Sequence, residues 1–157
     1  YGALFVGGAT VGAADGVGVS MAAHNETGKF GEAVVRAVLE QLGPVEDSTV
    51  ADLRFAGLEI EVKAALASRY DARGLPGFQF CLHRAGRNGV RADVVILLAI
   101  GNGVIVPFVM PAAVVGERPK VTVYGTDALT YNGQWAQWRG RWETLAETLM
   151  DKAQPVG

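Results

Sequence analysis

One cysteine, Cys81, and two histidines, His24 and His83, are the only thiol and imidazole groups in this 157-residue chain. A single thiol excludes an internal disulfide framework and a Cys-rich zinc site. Two imidazoles so far apart do not form a His-based metal cluster. The lone thiol fits a reducing compartment, so the expected location is cytoplasmic, with a phage-encoded source left open. Lys and Arg are absent from the first twenty residues, YGALFVGGATVGAADGVGVS. A secretory signal needs a basic start. A spanning helix would not carry so many glycines or Asp15 near its centre, and no membrane partner is expected. We expect residues 1–20 to be a flexible or neighbour-packed leader, or an extension ahead of a natural start at Met21. Residues 21–157 then form a single domain. No internal repeat or linker divides it.

Strong net charge is also missing. The balance is −2 and the sequence pI about 5.7, so nothing global points to nucleic acid. The distribution does. Between positions 63 and 91 stand six bases, Lys63, Arg69, Arg73, Arg84, Arg87 and Arg91, against one acid, Asp71. A local basic excess is the footprint of a polyanion partner. A solvated basic surface is the plain alternative.

Half the chain is hydrophobic, enough for one compact core. Phe30, Val34, Val38 and Leu42 recur every four residues and predict a helix over 25–43 with those residues inward. Gly43 and Pro44 end it. Residues 48–55 and 58–66 read as strands joined at Ala56-Gly57. Residues 67–77 read as a loop, and 78–84 as a strand with Phe78, Phe80 and Leu82 on one side. The unbroken apolar run 93–100 suits a central strand covered on both faces. Residues 104–109 form another strand, placed at an edge or bulge by Pro107, and 121–124 a short one. Trp135, Trp138, Trp142, Leu145 and Leu149 step at helical spacing onto one stripe. The expected fold class is α/β, with a mixed sheet.

The stretch GLEIEVKAAL, 57–66, alternates Leu58, Ile60 and Val62 with Glu59, Glu61 and Lys63. With Ala56-Gly57 as the turn, Phe55 pairs with Leu58, Arg54 with Glu59 and Leu53 with Ile60. Asp52 and Glu61 then face each other. Directly opposed like charges are destabilising. A divalent cation such as Mg²⁺ would relieve them, because hard cations prefer oxygen ligands. Lys63 points the same way as Glu61. Two acids and one amine suit metal-assisted phosphodiester hydrolysis. A solvated face with Arg54–Glu59 as a plain ion pair accounts for the same pattern.

These residues in this order resemble the PD-(D/E)xK nuclease superfamily. The matching pieces are Glu32 in GKFGEAVVRAVLEQLG, Asp52 in VADLRF, Glu61-Val62-Lys63 in LEIEVK and Gln79 in FQFCLHR. Ala51 stands where the family pattern has Pro. The resemblance spans roughly residues 28–150. It implies a restriction-endonuclease-like three-layer fold, a central mixed sheet flanked by helices. It implies Mg²⁺, with Mn²⁺ as substitute, held by Asp52, Glu61, the Val62 backbone carbonyl and Glu32. Lys63 would be the base or water-positioner, and Gln79 would orient the site. Arg69, Arg73, His83, Arg84, Arg87 and Arg91 would contact DNA, branched or duplex. Within the superfamily the chain looks most like Holliday junction resolvases of archaeal or phage type, which act as homodimers. A restriction or homing endonuclease and an inactive nucleic-acid-binding module are the alternatives. A structural phage or mobile-element protein is a third, against which the basic stretch argues.

Overall fold

The computed structural model describes residues 4–5, 21–69, 74–82 and 90–154, with the side chains of 4–5, 21–25 and 69 excepted. The elements run β1 (Leu4–Phe5), α1 (Met21–Glu40), β2 (Val45–Asp47), β3 (Leu53–Phe55), β4 (Leu58–Leu66) and β5 (Ser68–Arg69). After these come β6 (Pro76–Cys81), β7 (Val94–Gly101), β8 (Val104–Pro111), α2 (Ala112–Val115), β9 (Lys120–Tyr124) and α3 (Glu143–Ala153).

Six strands make the central sheet in the order β1-β8-β7-β4-β3-β2, and β5-β6-β9 make a second sheet. The central sheet is mixed. β4 and β7 run parallel from Ile60↔Val94 to Leu66↔Ile100, and its other pairs are antiparallel. Parallel neighbours need a long crossover, usually a helix. Here the chain between them forms β5 and β6 of the second sheet. The expected loop at 67–77 thus holds a short rung, Ser68↔Gly77 and Arg69↔Pro76. The expected leader contributes one too, since Leu4 and Phe5 pair with Ile105 and Val104.

The central sheet separates two apolar clusters. On one face Leu58, Ile60 and Val62 of β4 and Ile96 and Leu98 of β7 pack with Val35, Leu39 and Leu145 of the helices. On the other, Ala65, Val95, Leu97 and Phe108 pack with Phe78 and Phe80 of β6 and Val121 and Val123 of β9. β7 feeds both clusters, which is why its sequence is apolar throughout. The layers are helices α1 and α3, the central sheet, and the second sheet with α2 and a 3-10 turn at Ala136–Trp138.

Two expectations need correction. The buried stripe of α1 is Gly31, Val35 and Leu39, one residue round from the predicted one, and Phe30 and Leu42 are exposed. Gly31 sets this rotation. A Cβ there would lie 2.7 Å from the Ala64 Cβ, so the helix rests on β4 where it has no side chain. The tryptophan segment is not one helix. Trp135 caps the start of the 3-10 turn, Gly140 takes φ 63°, and α3 begins after Trp142. Trp135 and Trp138 join the second-sheet cluster while Trp142 packs on the helical side. Pro107 sits opposite Leu98 on β8, beyond the two-residue β1. Its carbonyl accepts from the Gly140 amide at 2.8 Å, as an edge position allows.

Candidate functional site

The hairpin register is the expected one: Phe55↔Leu58, Arg54↔Glu59 and Leu53↔Ile60. Ala56 and Gly57 have φ of 51° and 83°, the positive pair of a type I′ turn. The ladder stops at Leu53, however, and β3 is only three residues long. Asp52 donates its amide to the Ile60 carbonyl at 3.1 Å. Its Oδ2 then accepts from the Val62 amide at 2.8 Å. A carboxylate thus fills the place where the next backbone partner would sit. In an extended strand the N–H and C=O of one residue project to the same side, so Val62 presents its carbonyl to this edge as well.

Four charged groups gather there. Glu61 is a buried charge, 2% exposed, and Lys63 Nζ lies 3.1 Å from its Oε1. A carboxylate that deep needs such a partner. Glu32 arrives from α1, one residue past the close contact at Gly31. Its carboxyl group is raised above the ordinary carboxylate range, first by burial, then by the neighbouring charges of Asp52 and Glu61. Lys63 opposes the rise, and a hydrogen bond with the Asp52 side chain adds to it.

The donor chemistry of this cluster fits a hard divalent cation. The side-chain and carbonyl donors are all oxygen, and three acids face one amine. The cluster is not a finished cage. Among the described residues no group of three or more His, Cys, Asp and Glu is set to hold a metal ion. Glu61 is turned to Lys63, Asp52 to the Val62 amide, and Glu32 to Asp52.

Gln79 does not join the four. Phe78 and Phe80 of β6 point toward the central sheet, so Gln79 faces the other way, paired in register with Thr122. Among the basic residues, Arg91 is exposed just ahead of β7. Arg73, His83, Arg84 and Arg87, and the Arg69 side chain, lie outside the described residues. A groove of about 650 Å³ lined by Thr122, Tyr124, Asp127, Tyr131 and Gln134, among others, sits at the second sheet and includes none of the four charged residues.

Sequence reasoning passed over Ser48 and Asp93. Ser48 Oγ accepts from the amides of Val50 and Ala51, at 3.0 and 2.9 Å, and donates to Glu59. That bond, ahead of the Arg54 contacts, holds the Glu59 carboxyl group below the usual range. Asp93 Oδ2 accepts from the Glu59 amide at 2.8 Å and meets Lys152 Nζ of α3 at 3.0 Å. The available signal was a serine three residues before Ala51 in a short loop, a spacing that favours hydroxyl-capped turns.

No protein-family model and no curated protein matches the sequence. Among solved structures the chain is similar in fold to a bacterial homing endonuclease, I-Ssp6803I. The two are 15% identical with a TM-score of 0.58, over 82% of this chain and 96% of that one.

Proposed function

We propose that this chain is a divalent-metal-dependent DNA endonuclease of the PD-(D/E)xK type. The observation that carries the reading is the meeting of Glu32, Asp52, Glu61 and Lys63 at the one edge of β4 that β3 leaves open. Asp52, Glu61, the Val62 carbonyl and Glu32 would hold Mg²⁺ or Mn²⁺. Bound there, the ion would activate a water and neutralise charge growing on the phosphate. Lys63, kept in place by Glu61, would orient that water or take its proton. The basic stretch from Lys63 to Arg91 supports a polyanionic substrate and supplies the expected phosphate contacts. Gln79 faces away from the cluster, and among the described residues Lys63 is the base beside the acids.

The fold shared with a homing endonuclease favours site-specific cutting of duplex DNA, with the four-way junction as the second substrate. One site cleaves one strand, so cutting both calls for two copies, and we expect a homodimer. The test is cleavage of linear duplex, single strand and four-way junction, with Mg²⁺, Mn²⁺ or EDTA. Asp52→Asn should abolish cleavage and leave DNA binding intact, because it removes an anionic ligand without adding bulk. Wild-type turnover in that variant removes Asp52 from the mechanism. A protein inert on every DNA form with either ion overturns the reading.

A further inference from the structure

The segment 48–52, between β2 and β3, carries Asp52 but lies outside every strand. Something must fix it, because a carboxylate on a loose loop would not hold one distance from Glu61. A serine hydroxyl has one donor and two acceptor positions, and Ser48 uses all three. It accepts from Val50 N at 3.0 Å and Ala51 N at 2.9 Å, and gives its proton to Glu59 Oε2. Its own amide donates to the Asp52 carbonyl at 3.3 Å, which closes the loop on itself.

The acceptor is itself immobilised. Glu59 Oε1 receives Arg54 Nε at 2.8 Å and faces Arg54 Nη2 at 2.8 Å. The Glu59 main chain is bonded both ways to Asp93, which α3 holds through Lys152. Glu59 belongs to β4, the strand that also bears Glu61 and Lys63. The Ser48–Glu59 bond therefore gauges the loop acid against the strand acids.

We propose that Ser48 is a positioning residue that sets Asp52 against Glu61 for cation binding. The inference rests on the reading of Asp52 and Glu61 as ligands. Groups behind metal ligands typically change affinity 10–100-fold when removed.

The experiment compares wild type, Ser48→Ala, Ser48→Thr and Glu59→Gln. Mn²⁺ affinity is measured by calorimetry and amide exchange at Val62 by NMR, both without DNA. Ser48→Ala should weaken Mn²⁺ binding about 10–100-fold. It should also speed exchange at Val62, whose amide Asp52 shields. Ser48→Thr, which keeps the hydroxyl, should restore both. Glu59→Gln keeps an acceptor but loses charge, and should fall between; it carries the test if Ser48→Ala does not fold. Unchanged Mn²⁺ affinity and Val62 exchange in Ser48→Ala, or in Glu59→Gln should it stand in, overturn this proposal alone. A wild type that binds no Mn²⁺ overturns both it and the ligand assignment.

Discussion

Glu32 couples the site to folding. Its carboxyl group is raised in the folded state, so the native protein holds that proton more tightly than the unfolded chain does. Its contribution to stability is complete below the unfolded value of about 4.5 and is lost as pH rises through the raised folded value. Glu32→Gln removes a charge that burial and two neighbouring acids oppose. Metal-free Glu32→Gln should therefore lack this loss across the window and melt higher than wild type at pH 7, as a thermal melt at several pH values would show. At Ala56 the effect is conformational. Its φ of 51° lies where a side chain costs roughly 1–2 kcal/mol. Ala56→Gly should stabilise the hairpin by up to about 1 kcal/mol once glycine's extra backbone entropy is counted, measured by denaturant unfolding.

At the scale of elements, α1 and β4 approach through Gly31. Gly31→Ala should gain about 1 kcal/mol of helix propensity. It also drives a Cβ to 2.7 Å from that of Ala64, and overpacking of this kind typically costs 1–3 kcal/mol. The second effect wins, so the variant should melt lower and lose Mn²⁺ affinity, because Glu32 is lifted with the helix. The tryptophans differ in burial. Trp135 is 4% exposed and Trp142 half-buried. Trp135→Ala should cost about 3–5 kcal/mol and Trp142→Ala less, both read from unfolding curves.

Local sequence carried some of these elements and not others. The hairpin register was legible because Ala56-Gly57 admits few turn geometries and its flanks alternate cleanly. The unbroken apolar run of β7 was legible because only a strand covered on both faces needs one. The exposure of Phe30 was not, since periodicity counts a phenylalanine as core and a glycine as nothing, whereas close packing reverses them. Nor was the break at Gly140: 3-4 spacing places three tryptophans on one stripe whether or not the chain turns between them. The second sheet was hidden because pairing partners such as Phe80 and Val121 lie far apart in sequence. At the site, the nearness of Glu32, Asp52, Glu61 and Lys63 was legible from their order, and the orientation of Gln79 was not. The way the acids meet was not, because the ladder ends before Asp52 and a side chain takes over from the backbone.

Across the whole molecule, the proposed cation binding would be linked to folding. An ion that binds only the folded chain adds stability by mass action, about 2.7 kcal/mol at a hundredfold excess over Kd. Mn²⁺ should raise the melting temperature of wild type, EDTA should reverse it, and Asp52→Asn should respond to neither. An unshifted wild-type melt at millimolar Mn²⁺ would count against any site of useful affinity. The open margin of β4 has one more effect. Past Ile60 no described strand pairs with it on that side, and a bare strand margin invites a foreign strand to dock and aggregation to follow. Asp52 occupies the Val62 amide, and the Glu61–Lys63 pair places charge beside it. The groups proposed for chemistry therefore also blunt that margin, and replacing Asp52 with valine should lower the soluble fraction of the protein, as sedimentation of the purified variant would show.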